Sequence, residues 1–210
     1  MPKSNKKAVA ILIPKDADKV SLLLEKAILS GNKAFVQMLI SRGADLTRKT
    51  GIDQSNQMYP LHAVAKTGDR DLAELCISKG ASVNVESDND KMTPLHIASF
   101  YGNAAIVEYF IQNGANLEAI DSEKRTPLIN ALHWNPERID NAVIPQMLVK
   151  AGAKVNCEDS QEKTPLHYAA SGTDVKLVEM LIQSGAKVRF KLGNGVWLLR
   201  GPVQLLRGPA

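Results

Sequence analysis

The sequence predicts an all-α repeat solenoid, a stack of helix–turn–helix units packed side by side. Two independent markers predict it. Pro-Leu pairs recur at 60–61, 94–95, 127–128 and 165–166, and Gly-Ala pairs at 43–44, 80–81, 114–115, 152–153 and 185–186. Both drift around one period of about 33 residues, the signature of a stacked array in which each unit buries its apolar face only against its neighbours. The chain is 44% apolar but only 5% aromatic, so small aliphatic side chains must do most of the packing.

Each unit reads the same way. The fullest copies are Thr93-Pro94-Leu95-His96-Ile97-Ala98 and Thr164-Pro165-Leu166-His167-Tyr168-Ala169. Tyr59-Pro60-Leu61-His62 and Thr126-Pro127-Leu128-Ile129 are partial copies. Thr is a good N-cap, and Pro suits the first helical turn, where its missing N–H is not needed. Leu and Ala then point inward at helical spacing, and Ala lets neighbouring helices approach. A second helix follows, as in Ile106–Ile111, and Gly114 ends it because Gly adopts the left-handed turn without strain.

These residues resemble the ankyrin repeat, whose hallmarks are a TPLHxA helix start and a Gly-Ala turn after the second helix. The resemblance covers about residues 20–190 and is specific because it recurs at one period. It implies helix pairs joined by β-hairpin fingers. It also implies that His62, His96 and His167 hydrogen-bond to backbone groups and so tie neighbouring fingers together. Five repeats are expected, at about 18–46, 56–84, 90–118, 123–156 and 161–188, within a domain spanning 18–188 and preceded by a basic segment at 1–17. The first lacks Thr-Pro, as suits a terminal cap with one solvent-facing side.

Three regions depart from the pattern. Eleven residues separate Thr47 from Tyr59, against seven between Glu118 and Thr126. The fourth repeat carries an insertion at 135–141. Such insertions map to loops, which carry binding or drift neutrally. In the segment 189–210, Gly195 falls where a sixth finger would place its Gly, and Trp197-Leu198-Leu199 where the next helix would start. That segment reads as a partial sixth repeat capping the stack through Phe190 and Trp197, as a cut or appended end, or as a binding peptide.

Charge and motifs narrow the function class. The net charge of +4 is uneven: residues 1–20 carry +3, 187–210 carry +5, and 21–186 carry −4. A mildly acidic body argues against nucleic acid as partner. No stretch approaches the ~20 apolar residues that span a bilayer. Cys76 and Cys157 form neither a disulfide framework nor a metal set, which fits a reducing compartment, the cytoplasm or the nucleus. Three His one repeat apart stand roughly 10 Å from one another, too far to share a metal. His133 lies off that register, and no motif places a Ser or Cys nucleophile beside it. Neither an enzyme nor a cofactor is expected, and no small-molecule substrate.

The resemblance also implies a concave binding face, built from the fingers and the exposed side of each first helix. It would carry Lys66, Phe100, Tyr101, His133 and Trp134 at the helix ends, and Met92, Arg125 and Lys163 just before the N-caps. Aromatic and Arg side chains dominate binding hot spots, so Tyr101 and Trp134 form the expected centre. Packing of Phe100 and Trp134 against adjacent fingers is the alternative. The fingers carry Glu86, Asp88, Asp90, Asp121, Glu123, Glu158, Asp159 and Glu162. A row of carboxylates beside the aromatic patch would favour a partner protein with basic residues beside an apolar anchor; a solvated, solubilising rim is the alternative. The expected function is a monomeric interaction module: a scaffold, adaptor or inhibitor. A regulatory or targeting fragment of a larger enzyme, effector or channel is the second reading. A self-associating structural unit is the third.

Overall fold

A computed structural model of the 210-residue chain describes residues 17–50, 58–133, 142–172, 174–191 and 197–200. The described helices run in pairs: α1 (Ala17–Leu29) with α2 (Lys33–Ser41), α3 (Pro60–Thr67) with α4 (Arg70–Ser78), α5 (Pro94–Tyr101) with α6 (Ala104–Gln112), α7 (Pro127–Leu132) with α8 (Val143–Lys150), and α9 (Pro165–Ser171) with α10 (Val175–Gln183). The first helices stack in chain order, α1 on α3, α5, α7 and α9, and the second helices from α4 to α10 stack behind them.

The helix starts form as their residues dictate. Thr93 and Thr126 stand in extended backbone, and their hydroxyls accept from the N–H three residues on. In return, His96 Nδ1 accepts the Thr93 N–H at 3.1 Å, a reciprocal cap. Helix α5 ends on Gly102 at φ 82°, and α3 ends on Gly68 at φ 81°. Gly68 is doubly constrained, because a Cβ there would lie 2.8 Å from Asn103 Oδ1.

The core is a continuous aliphatic seam between the two helix rows. Leu24, Leu39, Leu61, Leu95, Leu128 and Leu148 are fully buried. Phe110 on α6 is the large aromatic at its centre. The small Ala65, Ala73, Ala98 and Ala131 let the helices close up.

Hydrogen bonds between neighbouring units hold the fingers. His62 Nε2 meets the Met92 carbonyl at 2.9 Å, and His96 Nε2 meets that of Arg125 at 3.0 Å. These are the struts the resemblance implied. The Ser122 N–H donates to the Asp90 carbonyl, and that of Ser160 to the Glu123 carbonyl, both at 2.8 Å. On the opposite side, Asn84 donates to the Gly114 carbonyl and accepts from the Asn116 N–H, while Asn156 does the same with Gly185 and Lys187.

The C-terminal segment forms a two-stranded ribbon. Val188–Lys191 (β1) pairs antiparallel with Trp197–Arg200 (β2), with Val188 opposite Arg200 and Lys191 opposite Trp197. Counting by period places Trp197-Leu198-Leu199 where a next helix would start. Those residues have no Thr cap and no N1 Pro to start a helix, and their backbone groups pair instead with a strand in the register of a finger. Phe190 and Trp197 as a cap over the last repeat, and the remainder of 201–210, lie outside the described side chains.

Candidate functional site

The same positions of successive repeats build a groove of about 550 Å³ on the concave face. Its floor comes from the third residue after each helix-starting Pro: Ala63 on α3, Ile97 on α5 and Asn130 on α7. One wall comes from the residue before each N-cap: Met58, Met92 and Arg125. The other comes from the last turns of the first helices: Lys66, Phe100, Tyr101 and His133. Glu25 and Leu29 of α1 close one end.

Rings run along this face as a ladder. Tyr101 packs edge-to-face on Phe100 at 5.3 Å between centres, Phe100 lies 6.1 Å from His133, and His133 lies 5.7 Å from Tyr168. Both outer rings carry an ammonium group. Lys66 Nζ sits 5.2 Å from the Tyr101 centre, and Lys163 Nζ sits 5.7 Å from that of Tyr168. Such contacts orient the lysines over the rings while leaving their charge exposed.

The structure thus brings six of the expected partner-binding residues to one groove: Lys66, Met92, Phe100, Tyr101, Arg125 and His133. Lys163 stands farther along the same face. Trp134 and the insertion at 135–141 lie outside the described residues. Tyr168, Asn130 and Ile97 were missed. All three sit in the x position of TPLHx, and the recurrence of that position on the concave side was the signal that could have found them.

Two of the eight finger carboxylates turn inward, while Glu86, Glu123, Glu158 and Glu162 stay exposed. Asp121 and Asp159 are buried, at 4% and 6% exposure. Asp121 Oδ1 accepts from the Glu123 and Arg125 N–H groups at 2.9 Å, and its Oδ2 pairs with Arg125 Nε at 2.8 Å. Asp159 Oδ1 accepts from Gln161 and Lys163 N–H groups, and Oδ2 accepts the Tyr168 hydroxyl proton. These carboxylates fold the fingers by capturing N–H groups two and four residues on. Burial alone would push the Asp159 carboxyl up, but the bonds from Tyr168, Lys163 and Gln161 outweigh it and hold it below the usual range. Glu123 pairs with Arg125 at 3.3 Å, and Asp88 with Lys49. Asp90 is half-buried, and Glu86, Glu158 and Glu162 are exposed.

The histidines are structural in geometry. Burial pushes the His96 imidazole down to about 4, and lowers His62 in the same direction, so both rings are neutral near pH 7. His167 Nδ1 accepts the Thr164 N–H at 3.0 Å. In the fourth repeat Ile129 replaces His, and the Thr126 hydroxyl meets Cys157 Sγ instead at 3.3 Å. Burial pushes the Cys76 thiol up to about 12 and raises Cys157 as well. Neither thiol is therefore an activated nucleophile. Among the described residues no three His, Cys, Asp or Glu side chains gather as metal ligands, and no helix is long and apolar enough to cross a membrane.

Comparison with known proteins bears on the whole array. A family model described as ankyrin repeats (3 copies) matches residues 24–121 and 118–191. The chain is 35% identical over 118 residues to the transient receptor potential cation channel subfamily A member 1 homolog of Caenorhabditis elegans, covering 56% of this chain and 9% of that protein. It is 30% identical over 113 residues to subfamily A member 1 of Drosophila melanogaster, covering 51% and 9%. It is 33% identical over 99 residues to the ankyrin repeat and KH domain-containing protein mask-1 of Caenorhabditis elegans, covering 47% and 4%. The matched segment is thus less than a tenth of each of these relatives.

Proposed function

The chain belongs to the ankyrin repeat family, and we propose that it is a non-catalytic interaction module that seats a partner protein in the groove over α3, α5 and α7. One observation carries this reading. Side chains from four consecutive units converge on a single concavity, lined by Met and aromatic groups, that the described residues leave unfilled. Hot spots cluster where such groups are partly buried and rimmed by polar residues. Tyr101, stacked on Phe100 and covered by Lys66, occupies such a place. The free thiols of Cys76 and Cys157 fit a reducing compartment, and we place the protein in the cytoplasm.

The test is affinity capture from cell extract with the wild type beside Phe100→Ala/Tyr101→Ala. Proteins held by the wild type and lost by the variant, at unchanged circular dichroism, are groove partners. The same bound set on both proteins would remove the groove from consideration.

The relatives support a second reading. The matched segments are 9% and 4% of a cation channel protein and of an ankyrin repeat and KH domain-containing protein, and on this reading the groove seats a segment of a longer polypeptide that contains these repeats. An immunoblot of the native product against these repeats separates the readings by size.

A further inference from the structure

One residue of the groove floor carries a buried polar atom that the described residues do not use. The Asn130 side chain stands on the floor at 1% exposure, and its Nδ2 has no hydrogen-bond partner among the described residues. The corresponding positions differ: Ala63 and Ile97 are apolar, and the Tyr168 hydroxyl is bonded to Asp159. A buried amide donor without an acceptor destabilises the structure that holds it. An acceptor supplied from outside is therefore favoured.

Charges of both signs line the face: Glu25 and the exposed Glu123 are acidic, Lys66 and Lys163 basic, and Arg125 is paired with Asp121 and Glu123. Lys66 and Lys163 have ring contacts but no carboxylate within ion-pair distance among the described residues. Lys66 is thus a counter-ion for an acidic side chain on the helix-end wall, across the groove from the finger residues.

Building on the interaction reading above, we propose that the groove takes an extended segment of a partner protein with three matching features. An apolar side chain packs between Met92, Ile97 and Phe100. A main-chain carbonyl accepts from Asn130 Nδ2. An acidic side chain pairs with Lys66. Lys66 and Asn130 stand on helices two stacking steps apart, each of ~10 Å, and Lys66 Nζ reaches over the Tyr101 ring of the intervening unit. At ~3.3 Å per residue of extended chain, the acidic side chain and the accepting carbonyl are about three to six residues apart.

The probe is a phage-displayed library of random dodecamer peptides, panned on the full chain, with affinities read by fluorescence anisotropy. The expected consensus holds an apolar residue and an Asp or Glu. Phe100→Ala abolishes binding. Lys66→Glu and Asn130→Leu each weaken it roughly tenfold or more. An amide-to-ester scan of the peptide finds one carbonyl whose weakening lowers affinity for the wild type but not for Asn130→Leu. Removing an unanswered donor should leave Asn130→Leu at least as stable as the wild type, and Asn130→Ala provides a second variant.

Peptides that bind Phe100→Ala as tightly as the wild type would sink the groove reading and this inference with it. Binding that needs Phe100 but ignores both Asn130→Leu and Lys66→Glu would leave the groove standing and overturn this inference alone. A basic consensus would also overturn it. So would a dimer in sedimentation that Phe100→Ala dissolves, since a second copy would then be the occupant.

Discussion

The Tyr168 hydroxyl donates to Asp159 Oδ2, joining a ring of the concave ladder to the carboxylate that folds the neighbouring finger. Tyr168→Phe keeps the ring and removes the bond. It should cost about 1–2 kcal/mol, as for a hydrogen bond to a charged acceptor, in urea unfolding. Because Asp159 is held below its usual range, its contribution is present above about pH 4 and is lost as pH falls through its folded value. In Tyr168→Phe that acid-dependent loss should shrink.

The buried histidines set a second acid limb, at higher pH. His96 is lowered from 6.5 to about 4, so the unfolded chain takes up a proton there that the folded chain refuses. Stability should be flat above pH 6.5 and fall as pH drops toward 4, by up to about 3 kcal/mol for His96. His62 adds in the same direction. Chemical denaturation at stepped pH measures this. In His96→Gln the level falls because the strut to Arg125 is altered, but the slope between pH 6.5 and 4 should flatten. An unchanged slope would mean that another group titrates there.

The finger tips carry backbone strain. Lys91, Lys124 and Glu162 adopt φ of 52°, 58° and 60°, a region that disfavours residues with a Cβ. Replacing each with Gly relieves that strain at the expense of unfolded-chain entropy, for a net gain of about 0.5 kcal/mol per site. The triple variant should melt a few degrees higher by calorimetry, with no change in helicity.

Two glycines of like conformation should respond unequally. Gly80 has φ 94° with open space around a hypothetical Cβ, so Gly80→Ala carries strain alone, about 1 kcal/mol. Gly68→Ala adds a contact with Asn103, whose Nδ2 donates to the Ala65 and Lys66 carbonyls at 2.7 and 3.0 Å. Losing that staple should bring the total to about 2–3 kcal/mol. Equal melting temperatures for the two variants would mean that Asn103 moves aside freely.

The repeat frame was legible because its marks are local. Thr-Pro starts and Gly ends follow from residues a few positions apart, and the structure builds them as the residues require. The His struts, which reach 29 and 30 residues, and the concave placement of Phe100 and Tyr101 were legible only through the resemblance. The fingers were not. Asp121 and Asp159 look like surface charges in a polar stretch, yet they turn inward because main-chain N–H groups within four residues need an acceptor. Asn130 and Tyr168 escaped notice because a position midway along a first helix reads as core, whereas in this stack it faces the open side. The strand at 197–200 was not legible because counting by period locates a position but not the backbone partner it pairs with.

The cross-links between units have one further consequence. The staples from Asn84 to Gly114, Asn103 to Ala65 and His96 to Arg125 bridge 29 to 38 residues, one period in reach. Each joint is therefore complete with only its two adjoining units. A whole period could be deleted from the gene, or duplicated within it, and joints built from the same residues would still find their partners, whereas the joint that uses Thr126 and Cys157 would not. Such a change would alter how long a segment the concave face can hold without disturbing the way any unit is built, so the reach of the surface is free to vary over evolution by whole periods rather than by single substitutions.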